Sequence, residues 1–217
     1  MLKVKDLTGI KYAAIHHSGG LLNDPFYSSL KFKAEDVDRA HRERWDFRSE
    51  LGFYGGYTAF IDLGGVMTQY RLIGEETAAQ KYHNFDTISI ALAGNFTLDP
   101  TSGRMIDQPT PAQIEKLGEV LDWINKNARV TTQNIVAHRL LGWTECYGTG
   151  LTDSWCREVM FEYRNKKELK QKISALQQLI LLYSQLIGLL RLSKKTLGAR
   201  FGSQPLYHIG LCEAERG

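Results

Sequence analysis

The chain has 217 residues, a hydrophobic fraction of 43%, a charged fraction of 24% and a net charge of +3, which together describe an ordinary globular protein of one sizeable domain with an appendage. It contains no uninterrupted run of about 18 apolar residues, and its N-terminus lacks the pattern of a secretory signal, so we expect neither a standard membrane span nor a cleaved leader. Three cysteines make an odd count, which argues against a disulfide framework and fits a reducing compartment or a metal ligand.

In the first part of the chain, short β-like runs surround one charged helix. Residues 34–45 place apolar side chains on one side of a helix and charges elsewhere. The pair Gly64-Gly65 predicts a hairpin turn, and residues 87–96 are apolar and β-branched enough for a central strand. The predicted strands of this part are residues 11–18, 58–65, 66–73 and 87–96.

The second part begins with a clearly amphipathic helix at residues 110–127. Thr110 is the expected N-cap, Pro111 occupies the first turn, and Gln113 completes a capping box. Residues 134–139 predict one more short strand. The order β, α, β, β, β, α, β predicts an α/β fold with a mixed central β-sheet flanked by helices, followed by a long C-terminal helix.

The chain changes character after a first domain that we place at residues 1–157. Residues 158–192 predict one long helix, and residues 193–217 predict a tail. Residues 157–200 carry ten basic and three acidic side chains. Because the distal part of this helix has two apolar stripes, residues 166–192 must find a partner. Heptad spacing favours self-association in a bundle, and contact with a membrane is the alternative.

Three residues far apart in the sequence could together bind zinc. His16 ends the first predicted strand and His138 ends the last one, so the two side chains converge if these strands are neighbours. Cys146 follows His138 by eight residues, and the loop between them can return its thiolate to the same point. Imidazole nitrogen and thiolate sulfur are preferred zinc donors, and three protein ligands leave one position open for catalysis.

Five segments, in order over roughly residues 10–160, resemble the type 2 N-acetylmuramoyl-L-alanine amidases, a family that includes amidase-type phage lysozymes and peptidoglycan recognition proteins. They are "AAIHHSGG", "GYTAFIDLGG", "TISIALAGNF", "PTPAQIEKLGEVLDWI" and "VAHRLLGWTECYG". Two positions depart from the family pattern: Tyr147 replaces the Pro of a Cys-Pro-Gly motif, and Thr144 stands where many bacterial and phage members have Lys.

This resemblance implies the amidase and recognition-protein fold, with His16, His138 and Cys146 as ligands of Zn²⁺. It also implies hydrolysis of the amide between the lactyl group of N-acetylmuramic acid and L-alanine in peptidoglycan. Tyr57 would orient water or steady the oxyanion through its hydroxyl, and Thr144 would add a neutral hydrogen bond. The alternative is a recognition module that binds peptidoglycan without catalysis. A third hypothesis, a structural protein acting through its C-terminal helix, leaves the metal set unexplained.

Four further residues are candidates for substrate binding. His17 follows the first ligand, and its alternative role is packing. His83 and Asn84 precede the central strand, where they could line the cleft or simply form a polar loop. Asn95 could bind substrate or cap a turn. We expect bacterial peptidoglycan as the partner, no nucleic acid, synthesis in the cytoplasm and action at the cell wall after release, as for a phage endolysin or an autolysin.

Overall fold

A computed structural model describes residues 2–19 and 33–201 of the chain, with side chains described as far as Thr196. The predicted order of elements and the α/β architecture are confirmed. The strands are β1 (Tyr12–His17), β2 (Ala59–Ile61), β3 (Met67–Gln69), β4 (Thr87–Leu92) and β5 (Ile135–Ala137). The α-helices are α1 (Ala34–Trp45), α2 (Pro111–Asn127) and α3 (Trp155–Phe201), and short 3₁₀ turns cover Thr132–Asn134 and His138–Leu140.

The five strands form one mixed sheet in the order β3-β2-β4-β1-β5. Strand β4 is central as predicted, and all six of its residues are buried, which suits a strand covered on both faces. Strand β1 pairs in parallel with β4 on one side and with β5 on the other. Only the β2–β3 pair is antiparallel, joined by the predicted turn at Gly64-Gly65.

Helix α2 begins as its sequence predicts. The Thr110 hydroxyl accepts a hydrogen bond from the Gln113 N–H at 3.1 Å, and the Gln113 side chain accepts one from the Thr110 N–H at 3.0 Å. The Gln113 amide also donates to the Ala93 carbonyl at 2.8 Å, which ties the start of α2 to the end of β4. The sequence places Ile114, Leu117, Leu121 and Ile124 on one face of this helix, and the last three are fully buried while Ile114 is partly buried.

The segment between α1 and β2 is held by a buried arginine that sequence patterns do not single out. The Arg71 side chain is fully buried and donates to the Gly55 carbonyl at 2.8 Å, to the Glu76 carbonyl at 3.2 Å and to the Phe47 carbonyl. Its guanidinium also lies 4.0 Å from the Phe47 ring centroid. These bonds hold the backbone both before Tyr57, at Phe47 and Gly55, and after it, at Glu76.

Helix α3 is longer than predicted at both ends. It begins at Trp155 and continues to Phe201, so residues 193–201 are helical and not part of a tail. The stretch contains no proline, and the Ser193 and Thr196 hydroxyls donate to carbonyls of the preceding turn, at 2.9 Å to Leu190 and 2.8 Å to Leu192. The compact unit that contains the sheet ends at Lys167, and a second unit begins at Glu168.

Among the described residues, α3 is the one helix that is long enough and apolar enough, by length and composition, to cross a membrane. The sequence has no uninterrupted apolar run there, because glutamines and serines interrupt it, although none of them carries a charge. The expectation that the chain has no standard membrane span stays a prediction.

Candidate metal centre and active-site cleft

The sheet brings the two histidines together because their strands are parallel neighbours. Ile15 of β1 is paired with Ala137 of β5, and His16 and His138 are the next residues in each strand direction. Their ring centroids lie 4.3 Å apart. His16 is almost fully buried, whereas His138 lies at the start of a 3₁₀ turn and keeps partial exposure. The predicted convergence of the two strand ends is therefore confirmed.

The loop after β5 returns Cys146 to the same point through bonds made by Arg139. The Arg139 N–H donates to the Cys146 carbonyl at 2.7 Å. The Arg139 guanidinium donates to the Gly148 carbonyl at 2.6 Å and to the Leu151 carbonyl at 2.7 Å, and it pairs with Asp153. These interactions of Arg139, called here the clamp, hold the Cys146 Sγ atom 3.7 Å from the Nδ1 atom of His16.

Tyr147 and Gly148 complete the turn where the family pattern has Pro-Gly. The Tyr147 side chain is fully buried, and its hydroxyl donates to the Thr152 carbonyl at 2.6 Å. Gly148 adopts φ of 95°, and a Cβ atom there would lie 2.5 Å from the Phe96 carbonyl oxygen. The turn is thus stabilised by side-chain burial and by a required glycine, which keeps Cys146 facing the histidines.

The charge states of the three side chains fit a cation site. Burial and the neighbouring His138 hold the pKa of His16 well below its usual value, and burial lowers the pKa of His138 to about 4, so both rings are neutral at pH 7. Burial raises the pKa of the Cys146 thiol to about 12, although a backbone hydrogen bond from His17 opposes that shift. A bound cation would favour the thiolate and displace its proton.

The Nδ1 atom of His138 also supports a cation site. The His138 Nδ1 atom is buried, and among the described residues it has no hydrogen-bond partner. Buried polar atoms normally have partners, so an orphaned imidazole nitrogen indicates a missing ligand. Ligand atoms of His16, His138 and Cys146 all lie within 4.8 Å of one another, close enough to share one metal ion. Two imidazoles and one thiolate are a donor set suited to zinc.

Gln80 orients the first histidine, and sequence reasoning missed it. Its Oε1 atom lies 3.1 Å from His16 Nε2 and accepts a hydrogen bond from the Ser89 hydroxyl at 2.9 Å. Gln80 is nearly fully buried. Because a carbonyl oxygen can only accept, His16 carries its proton on Nε2 and keeps Nδ1 free for a metal. No spacing rule connects a glutamine at position 80 with a histidine at position 16.

We expect Gln80→Leu to weaken metal binding without unfolding the protein. The change removes the acceptor that orients His16, and loss of such a partner typically costs 10- to 100-fold in metal affinity. Competition for zinc against a chromogenic chelator would measure the loss. The matched control is Gln80→Glu, which retains an acceptor oxygen and should keep most of the affinity. Equal zinc affinity in Gln80→Leu and the parent chain would contradict the assignment.

Tyr57 lies beside the candidate metal centre, where it is half-buried. Its ring centroid is 5.1 Å from that of His16 and 5.5 Å from that of His41. The backbone at this point is held because the Gly56 N–H donates to His41 Nδ1 at 2.8 Å. At Gly55 a Cβ atom would lie 2.3 Å from the Tyr70 ring, so only glycine allows this close packing.

His41 supplies a pH-dependent contribution to stability. Burial, followed by the like charge of Arg44, lowers its pKa to about 4, although Asp38 opposes the shift and Arg71 adds to it. An unfolded histidine has a pKa near 6.5. Between about pH 6.5 and 4, His41 therefore binds a proton in the unfolded chain but not in the folded chain. The contribution is fully present above about pH 6.5 and is lost as the pH falls towards 4.

Replacing His41 with glutamine, which does not titrate, should remove this pH-dependent contribution to stability. Relative to this variant, the parent chain should lose about 2 kcal/mol of unfolding free energy between pH 6.5 and 4. Urea unfolding of the metal-free proteins at several pH values would measure the difference. Parallel pH profiles for the two chains would show that His41 does not titrate on unfolding in this range.

A cleft of about 1170 Å³ opens beside the candidate metal ligand His138. It is lined by His138, Thr144 and Glu145, and also by the exposed aromatic side chains of Trp143 and Tyr82. The Thr144 hydroxyl accepts a hydrogen bond from the Cys146 N–H at 3.2 Å, so Thr144 lies beside a candidate ligand, and its hydrogen bond to the oxyanion stays a prediction. Sequence reasoning did not select Trp143 or Tyr82, whose exposure is their only signal.

The side chains of the four predicted substrate-binding residues all have polar partners within the protein. His17 Nδ1 accepts a hydrogen bond from the Phe96 N–H at 3.1 Å, and His83 Nδ1 lies 3.1 Å from Asp86 Oδ1. The Asn84 side-chain oxygen accepts from the Gln80 N–H at 3.0 Å, which shapes the turn carrying Gln80. The Asn95 side-chain oxygen accepts from the Thr97 N–H at 3.2 Å. None of the four lines the cleft described above, and their binding of substrate stays a prediction.

The chain matches one protein family and several solved structures. The family model described as N-acetylmuramoyl-L-alanine amidase matches residues 6–153. No curated protein matches the chain. The chain is similar to the N-acetylmuramoyl-L-alanine amidase LysC from Clostridium intestinale URNW, with 17% identity, a TM-score of 0.54 and coverage of 72% of this chain and 94% of that one.

Two further solved structures are similar to this chain. The Ph2119 endolysin from a bacteriophage of Thermus scotoductus has 19% identity and a TM-score of 0.51, with 73% of this chain and 89% of that one covered. The Drosophila peptidoglycan recognition protein SD has 20% identity and a TM-score of 0.50, with 70% and 81% covered. At these identities the likeness establishes a shared fold.

Proposed function

The chain belongs to the N-acetylmuramoyl-L-alanine amidase family, and from this premise we propose that it is a zinc-dependent enzyme that degrades bacterial peptidoglycan. The bond hydrolysed is the amide between the lactyl group of N-acetylmuramic acid and L-alanine. The observation that carries the proposal is the grouping of His16, His138 and Cys146, together with the buried His138 Nδ1 atom, which has no hydrogen-bond partner among the described residues. We further propose that the protein acts at the cell wall after release from the cytoplasm, as an endolysin or autolysin does.

In the proposed reaction, the three candidate ligands would hold zinc, and the neighbouring side chains would orient those ligands or stabilise the developing negative charge. Bound zinc would supply a Lewis acid for activating water and polarising the scissile carbonyl. Gln80 holds His16 in the tautomer that leaves Nδ1 available, and Arg139 holds the loop that presents Cys146. The Tyr57 hydroxyl is proposed to donate a hydrogen bond to the oxygen on which negative charge develops. Thr144, at the edge of the cleft, would add a neutral hydrogen bond there.

The cleft beside the metal centre suits a polymeric glycopeptide. It is open to solvent and offers the aromatic faces of Trp143 and Tyr82, which can pack on sugar rings or apolar stem residues. Lys81 also lines it and can pair with a carboxylate of the peptide stem. A long substrate could therefore lie across the cleft and place one amide at the metal centre.

A recognition module that binds peptidoglycan without cleaving it is the second candidate, and it is favoured by the fold shared with the Drosophila recognition protein. The two candidates differ in what they require of Cys146. Binding alone needs no thiolate next to two histidines, whereas hydrolysis needs a complete ligand set. The clamp that Arg139 builds around the Cys146 loop supports the enzyme.

The test combines metal content with product identity. Purified full-length protein should contain one zinc per chain by elemental analysis. Incubated with purified peptidoglycan, it should expose new N-terminal L-alanine, detected by amine labelling and mass spectrometry. Removing zinc with a chelator should stop the release, and adding zinc back should restore it. Binding to peptidoglycan with no new L-alanine termini, from a zinc-loaded protein, would favour the recognition module.

A further inference from the structure

The distal part of α3 contains a segment that the metal centre and its cleft do not explain. Residues 173–190, called here the apolar segment, include no acidic, basic or histidine side chain. None of the residues in the membrane-length window of this helix is buried within the structure. Eighteen helical residues rise about 27 Å, close to the roughly 30 Å hydrocarbon thickness of a bilayer.

Basic side chains stand at both ends of the apolar segment. Lys170 and Lys172 precede it, and Arg191, Lys194 and Lys195 follow it. Long cationic side chains at the two ends of an apolar helix can extend to the two headgroup layers of a membrane. Anionic lipids attract such residues electrostatically. The charge pattern of α3 is therefore basic, apolar and basic, with spacing that matches one membrane crossing.

A water-soluble coiled coil fits this pattern poorly. Such helices carry charged residues on the faces away from the seam, often as glutamate and lysine pairs. In the apolar segment, successive residues advance by about 100° around the helix axis, and the polar residues then fall on one arc. That arc holds Ser174, Gln177, Gln178, Ser184, Gln185 and Gly188. It is uncharged along about four helical turns, where a solvated face would be charged.

A helix lying flat on a membrane fits poorly as well. Helices of that kind have a strongly charged polar face, which stays among the headgroups while the apolar face is buried. Here the positive charges lie beyond the two ends, and the polar arc between them has none. Uncharged amides and hydroxyls are tolerated inside a bilayer when they bond within the helix or to a neighbouring helix. The Ser184 hydroxyl already donates to the Ile180 carbonyl at 2.9 Å.

We propose that residues 173–190 cross a lipid bilayer containing anionic lipids, with Lys170 and Lys172 at one headgroup layer and Arg191, Lys194 and Lys195 at the other. The chain is then a membrane-anchored protein, with the unit that carries the metal centre on one side. The inference does not depend on amide hydrolysis, because it rests on the composition and exposure of α3 alone.

The experiment uses the full chain, synthesised without cells in the presence of vesicles of phosphatidylethanolamine and phosphatidylglycerol. Flotation on a density gradient separates vesicle-associated chains from free ones. The floated chains are then washed with high salt and with alkaline carbonate, which remove proteins held only by charge or at the surface. We expect most of the chain to float and to stay with the vesicles through both washes.

One pair of variants separates a crossing from the other arrangements. Gln178→Arg places a charge near the middle of the apolar segment but on its polar arc. A membrane crossing should lose roughly tenfold or more of the wash-resistant fraction, because a charge at that depth is costly. Ser193→Lys adds the same charge beyond the segment and should leave the fraction unchanged. Zinc content of both variants checks that the metal-binding unit is folded.

Four outcomes would overturn the proposal. Release of the parent chain by salt or carbonate would indicate surface attachment, and flotation of Gln178→Arg equal to that of the parent would indicate a helix lying flat. A chain that ignores vesicles and sediments as a multimer would indicate a soluble bundle. A chain that ignores vesicles and stays monomeric would show that the apolar segment has no external partner.

Discussion

Replacing Cys146 with alanine should remove zinc from the protein and abolish peptidoglycan hydrolysis. The Cys146 Sγ atom lies 3.7 Å from His16 Nδ1, and it is the one sulfur in the three-residue metal group. Loss of a residue that merely orients a ligand costs up to about 100-fold in metal affinity, so loss of a ligand itself should cost more. Zinc content after dialysis and the rate of L-alanine exposure on peptidoglycan would measure both effects.

The chain offers a matched control in Cys156. This cysteine is also buried, but its Sγ atom lies 3.6 Å from the Ile135 carbonyl and belongs to no metal group among the described residues. Cys156→Ala should keep zinc and activity, at the cost of a small cavity and some stability. Full zinc content in Cys146→Ala would remove Cys146 from the ligand set and, with it, the main argument for hydrolysis.

Tyr57→Phe should retain zinc and fold but lose about 10²–10³ in turnover, the typical effect of removing one donor to a developing oxyanion. The variant keeps the ring that packs 5.1 Å from His16 and 5.5 Å from His41, so only the hydroxyl chemistry changes. Steady-state hydrolysis of a soluble muramyl peptide would separate the expected fall in kcat from any change in KM.

Tyr82→Phe provides the comparison for Tyr57. Tyr82 lines the cleft, but its side chain is 87% exposed, so its hydroxyl is solvated. Its loss should change turnover less than about threefold, within the range of an exposed surface substitution. If Tyr57→Phe turns over as fast as Tyr82→Phe, Tyr57 is a packing residue and the oxyanion donor lies elsewhere.

Much of the fold followed from local sequence patterns. The capping box at Thr110 and Gln113, the Gly64-Gly65 turn and the buried run of β4 each depend on residues close together in the chain. Local signals of this kind act within one turn or one strand, so they can be read without tertiary structure. The ends of α3 were predicted less accurately, because the prediction followed the apolar stripes, whereas the helix begins after Ser154 and ends before Gly202.

The amino-acid sequence by itself determined the order of the elements, the α/β class and the choice of His16, His138 and Cys146 as candidate ligands. Tertiary structure alone decided that Gln80 selects the His16 tautomer, that Arg139 clamps the Cys146 loop, and that Trp143 and Tyr82 are exposed at the cleft. The reason is physical: a hydrogen bond between positions 16 and 80 depends on strand pairing and chain path, and neither leaves a periodic trace in the sequence. Exposure of an aromatic ring likewise depends on what else packs against it, which only the folded chain specifies.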